Sequence, residues 1–232
     1  MTDDRVIRLT PDINVLIADQ LSRRRGLRAG AATMIVDAVK DGSCPAGPVQ
    51  LVISLPMIEA YANVLQRRLG YSRTEAEEKA WLLAEYALAG PVADQPYLPV
   101  GAGFIPFETE EQLRQSIEAR WRSPDAAKLF HEVQDDRYVL ETALAGRADI
   151  LVTADLDDFI RGPAIRLQRP DVGLFPFGDM PLVIAKPSFA AHWLRQGVVP
   201  DAAFIVARPE EFMRAAGTRD IPGQTPRPAA AV

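Results

Sequence analysis

Hydrophobic and polar positions alternate along the chain in blocks that predict strands followed by helices. Val6 to Leu9 is a short apolar-rich run that reads as a strand. Thr10-Pro11-Asp12 turns it into a helix expected over Ile13 to Leu21. Val49, Leu51, Val52 and Ile53 mark a buried strand within Pro48 to Ser54. Pro56 suits the first turn of a helix, and Ile58, Tyr61, Ala62 and Leu65 recur at helical spacing as far as Gly70. Ser72-Arg73-Thr74-Glu75 opens another helix running to about Leu88. Gly90 to Gly103, rich in proline and glycine, reads as a loop, and Glu108 to Trp121 as a charged helix broken at Ser123-Pro124-Asp125. Tyr138, Val139, Ala143 and Leu144 predict a helix closed by Gly146, followed by a strand over Ile150 to Thr153.

Strands that alternate with helices imply a mainly parallel sheet covered by helices on both faces. Beyond Ile160 the pattern weakens. Pro181 to Ala185 and Ala203 to Ala207 read as short strands, each followed by a basic residue, a proline and an apolar helix start. This is either a small internal duplication or chance. From Gly217 the chain turns polar and proline-rich, then alanine-rich, as disordered tails do.

Composition narrows the class. The 232 residues suit one large domain. A single cysteine, Cys44, excludes a disulfide framework and fits a reducing cytoplasm. The start, Met1-Thr2-Asp3-Asp4-Arg5, does not read as a signal peptide, and no apolar run approaches the roughly 20 residues needed to span a bilayer. The net charge of −5 argues against a protein that coats nucleic acid. It leaves room for an enzyme that gathers carboxylates around a metal.

Four acids fall where such a gathering is expected. In open parallel sheets ligands bind at the carboxyl ends of the strands. Asp12 follows the first strand, Glu59 lies one turn into the helix after the second, and Asp155 follows the Ile150–Thr153 strand. Asp136 starts the helix that leads into that strand. Carboxylates packed together raise each other's pKa values, so the cluster makes most sense around a hard divalent cation. Each acid also has a plain structural reading. Asp12, Asp136 (or Asp135) and Asp155 (or Asp157) suit helix N-caps, and Glu59 complements a helix dipole.

The residues then match a known family. Thr10-Pro11-Asp12-Ile13-Asn14-Val15-Leu16, the glutamate helix from Ser54 through Glu59 to Arg67, and Asp136 to Leu144 leading into Leu151-Val152-Thr153-Ala154-Asp155 resemble PIN-domain nucleases, including VapC-like toxins. The match covers roughly residues 5 to 160 in order. The resemblance implies a three-layer α/β/α fold with a central mainly parallel sheet, and a magnesium- or manganese-dependent endoribonuclease. By that resemblance Asp12, Glu59, Asp136 and Asp155 are the catalytic metal-site acids, with Asn14, Thr153 and Asp157 supporting them. It also implies a homodimer and a cognate antitoxin as partner. On this reading residues 1–216 form one PIN-like domain, with an insertion near 97–124 and an extended C-terminal part, and 217–232 form the tail.

Arg23-Arg24-Arg25 with Arg28, and Arg67, Arg68 and Arg73, form two basic clusters. They are either phosphate contacts for RNA, with Arg23, Arg24, Arg67 and Arg68 the candidates, or solvated helix ends. Trp121 is a base-stacking candidate, though core or partner contact fits it better. His131 and His192 lack a nucleophile's setting. The alternative function is a non-catalytic PIN-like module that binds RNA or protein. A receiver-type phosphoryl-transfer domain wants a placed lysine, and Lys40, Lys79, Lys128 and Lys186 lack that context.

Overall fold

Strand β1 (Ile7–Pro11) buries Ile7 and Leu9 completely, as an interior strand of a covered sheet must. The computed structural model describes residues 5–27, 29–91, 137–159, 165–166, 171–175 and 181–199. Helix α1 (Ile13–Arg24) follows β1 directly, three residues longer than the pattern predicted. Helix α2 (Ala31–Asp41) comes next and was not anticipated. It buries Ile35, Val36 and Val39 and ends at Gly42, whose φ of 63° is the left-handed conformation glycine adopts freely. A short hairpin of β2 (Ser43–Cys44) and β3 (Gly47–Leu51) leads to helix α3 (Leu55–Leu69), which closes at Gly70 as expected.

Helix α4 (Arg73–Leu88) opens with a complete capping box. The Glu75 amide donates to the Ser72 hydroxyl, and the Glu75 carboxylate accepts from the Ser72 amide at 2.9 Å. The predicted loop of 90–103, helix of 108–121 and insertion near 97–124 lie, beyond Pro91, outside the described residues, as do Ala203–Ala207 and the 217–232 tail. The chain is next described at helix α5 (Arg137–Ala145), strand β4 (Ile150–Val152) and the four-residue helix α6 (Leu156–Phe159). Then come β5 (Ile165–Arg166), β6 (Val172–Phe175), β7 (Leu182–Ala185) and helix α7 (Pro187–Gln196).

The turn after α5 departs from expectation. The left-handed residue there is Arg147, with φ 50°, not Gly146. Gly146 is required for space instead: a Cβ on it would stand 2.2 Å from Val52 Cγ1.

The seven strands lie in the order β2-β3-β1-β4-β7-β6-β5. The four inner strands β3, β1, β4 and β7 run parallel, and the outer pairings are antiparallel. The mainly parallel α/β/α sandwich anticipated from the pattern is thus the fold. Parallel strands buried on both faces explain why β4 and β7 are apolar without alternation. The strand order also fixes where a ligand belongs. From β1 the chain passes to β3 on one side, then crosses to β4 on the other. The crevice between the carboxyl ends of β1 and β4 is therefore a topological switch point.

Candidate functional site at the β1–β4 switch point

Residues Pro11 and Val152 are register partners at the ends of β1 and β4, so Asp12 and Thr153 face one another as the strands open. The Asp12 amide continues the ladder by donating to the Val152 carbonyl at 2.8 Å. Thr153 is held from the other side, its amide donating to the Ala185 carbonyl of β7 at 3.0 Å. The backbone at this edge is thus braced across three strands.

Asp12 is 1% exposed. Its Oδ2 accepts from the Thr153 hydroxyl at 2.8 Å and, at the long distance of 3.4 Å, from the Asn14 amide. Its Oδ1 is buried with no hydrogen-bond partner among the described residues. Asp12 takes the N-cap position of α1, yet its side chain makes no capping hydrogen bond. Burial pushes the carboxyl above its usual pKa of 3.8, and Thr153 and the amides of Ile13 and Asn14 only partly offset this. A buried carboxylate oxygen without a full hydrogen bond at a switch point is costly. A hard cation would satisfy it, and the oxygen-only donor set suits one.

Thr153 also links a second acid. Its fully buried hydroxyl accepts from the Asp155 amide at 3.0 Å, so one side chain braces Asp12 and the backbone of Asp155 together. Asp155 is exposed just before α6, and Asp157 is exposed within it. Glu59 is half-buried one turn into α3, after the buried extension Val52-Ile53-Ser54 of β3. Asp136 lies outside the described residues. Among the described residues no three His, Cys, Asp or Glu side chains stand close enough to hold a metal ion. The structure thus joins Asp12, Asn14, Thr153 and the backbone of Asp155 directly.

The arginines stand at the other ends of their helices. Arg23 and Arg24 end α1, roughly 16 Å along the axis from Asp12 at 1.5 Å per residue. Arg67 and Arg68 are exposed in the last turn of α3. Arg23 is committed elsewhere. Its Nε lies 2.8 and 2.9 Å from the two oxygens of Asp19, which is 1% exposed, and its Nη2 donates to Asp37 of α2 at 2.6 Å. The two carboxylates raise its pKa further still. Arg24 lies over the Tyr71 ring at 4.9 Å and donates to the Leu69 carbonyl. The sequence reading passed over Asp19, although its i,i+4 spacing to Arg23 signals the pair. It also passed over Thr142, which carries no local signal. His192 is half-buried on α7, and His131 and Trp121 lie outside the described residues.

An open α/β sheet with a buried carboxylate at its switch point is the arrangement of ligand-binding α/β domains. The PIN domain family profile matches residues 8–157, more than half of the chain, and the chain belongs to that family. Members of the family are generally metal-dependent nucleases. Neither among curated proteins nor among solved structures does anything match the chain significantly. No helix among the described residues is long and apolar enough to cross a membrane.

Proposed function

We propose that the chain is a magnesium- or manganese-dependent endoribonuclease that hydrolyses RNA phosphodiester bonds. The observation that carries this reading is the buried Asp12 carboxylate, one oxygen fixed by Thr153 and the other open at the switch point. Asp12, Glu59, Asp136 and Asp155 would hold the ion, and Asn14, Thr153 and Asp157 would support them. A divalent ion bound there lowers the pKa of a water and takes up charge growing on the phosphate. The Thr153 hydroxyl bonded to Asp12 Oδ2 would hold the carboxylate in one orientation for such an ion. Exposed Arg24, Arg67 and Arg68 would contact phosphates flanking the cut. Arg23, held by Asp19 and Asp37, is better suited to bracing α1 against α2.

A toxin paired with an antitoxin, a homodimeric state and a cytoplasmic setting are the finer parts of this proposal. The first two are supported by the VapC-like motifs, and the third by the single cysteine, Cys44. A competing reading, a non-catalytic module that binds RNA or protein, draws on one observation: the described acids do not by themselves close a three-ligand centre. Cleavage of mixed RNAs and single-stranded DNA in magnesium, manganese or chelator separates the two. The nuclease reading expects cleavage of RNA that chelator stops and that Asp12→Asn and Asp155→Asn abolish. No cleavage of any substrate, with RNA still retained on the protein, would favour the binding module.

A further inference from the structure

A buried hydroxyl pair joins the two helices that flank the acid edge on the β3 side. Ser54 opens α3, the helix on which Glu59 stands one turn later. Thr142 stands on α5, the helix that Asp136 immediately precedes in sequence. Both are fully buried, and their hydroxyl oxygens lie 2.7 Å apart. Thr142 Oγ1 is also 2.7 Å from the Tyr138 carbonyl, which can only accept. The single Thr142 proton therefore goes to that carbonyl, and Ser54 supplies the proton between the helices.

Ser54 is the residue type that ordinarily caps its own helix, and its backbone (φ −114°, ψ 161°) has the extended shape of a cap. It makes no side-chain capping bond. Its hydroxyl is turned across to α5 instead. A second contact keeps the same register. Gly146 is packed so closely on Val52 that no Cβ fits between them. Thr142 and Gly146 are separated by about 6 Å along a helix, and Ser54 and Val52 by about 6.6 Å along extended chain. The two spacings match, so α5 is keyed to the β3 extension at both points and cannot slide along it.

We infer that Ser54 and Thr142 are positioning residues of the metal site, setting α3 and its Glu59 against α5. This rests on the nuclease reading above. Neither touches a substrate or an ion. They act by fixing α3, which carries Glu59, against α5, which packs on β1 and β4, the strands that end at Asp12 and Thr153.

The test is manganese binding, followed by the electron paramagnetic resonance of free Mn²⁺, beside thermal unfolding without metal. Thr142→Val and Ser54→Ala should each weaken Mn²⁺ binding about tenfold or more, the range for partners that orient metal ligands. Thr142→Ser, which keeps the hydroxyl, should restore wild-type affinity. Ser72→Ala breaks the remote capping box of α4 and serves as the stability control, losing melting temperature with Mn²⁺ affinity intact. If Thr142→Val and Ser54→Ala only lower the melting temperature, as Ser72→Ala does, the pair is structural and the inference fails while the nuclease reading stands. If the wild-type chain binds no Mn²⁺, the nuclease reading fails and this inference falls with it.

Discussion

Replacing Asp12 by asparagine should stabilise the metal-free protein at neutral pH. Oδ1 of Asp12 is a buried acceptor without a partner, and leaving such a group unpaired costs about 1–3 kcal/mol. The asparagine side chain carries no charge and keeps an oxygen for the Thr153 hydroxyl, but its own amide hydrogens gain no acceptor where Oδ1 stood. The net gain should therefore be near the lower end, about 1 kcal/mol, or about 2–4 °C in melting temperature for a chain of this size. The pH dependence has a definite sign. Burial raises the folded carboxyl's pKa above 3.8, so the folded state holds the proton more tightly than the unfolded one. Wild-type stability then falls as pH climbs from 3.8 through the raised value, and the loss is complete above it. The variant's advantage should vanish at pH 3.8 or below and reach its full size above the raised pKa. Manganese should reverse the order. A ligand at a hundred times its dissociation constant adds about 2.7 kcal/mol to the chain that binds it and nothing to one that does not. Thermal unfolding at several pH values, with chelator or Mn²⁺, measures all of this. If Asp12→Asn is less stable than wild type in chelator at neutral pH, the buried charge is stabilising in the folded chain without metal and the metal argument collapses.

Three further outcomes follow from the same contacts. Thr153→Val removes the hydroxyl bonded to Asp12 Oδ2 and the Asp155 amide, and should weaken Mn²⁺ binding about 10–100-fold in titration, with Thr153→Ser close to wild type. Arg23→Ala leaves Asp19 buried without its ion-pair partner and should cost about 3 kcal/mol in urea unfolding; an unchanged midpoint with a loss of RNA affinity would instead mark Arg23 as an RNA contact. Gly146→Ala drives a methyl into Val52 and should cost about 1–3 kcal/mol, largely recovered by adding Val52→Ala, as a double-mutant cycle in denaturant would show.

How much of this could be read from the sequence depends on the range of each interaction. Strand β4, the end of α3 at Gly70 and the Ser72–Glu75 capping box are local. Their spacing, left-handed glycine and paired side chains stand within a few residues, and the pattern placed them well. Helix α2 was legible too. Its Ile35, Val36 and Val39 face the core between Gly30 and Gly42, but the apolar run between them is short. The Gly146 expectation failed because a glycine after a helix has two uses, a positive φ or close packing, and only Val52, distant in sequence, decides between them.

The site divides along the same line. Asp12 and Asp155 were named from strand ends, since a parallel sheet collects whatever follows its strands at one edge, and Thr153 from the family resemblance. What the motifs do not carry is what each side chain touches. Arg23 and Arg24 are neighbours of one type in one cluster. The first is held by a buried carboxylate that its own helix supplies one turn back, and the second lies over an aromatic ring near the end of α3. Residue type made them equivalent; partners make them different. The bond between Ser54 and Thr142 lies further from any pattern, because it joins residues 88 apart and neither is acidic. A metal site read from its acids alone is thus a set of ligands without the parts that space them. In this fold the spacing falls to hydroxyls: Thr153 between Asp12 and Asp155, and Thr142 between the start of the Glu59 helix and α5.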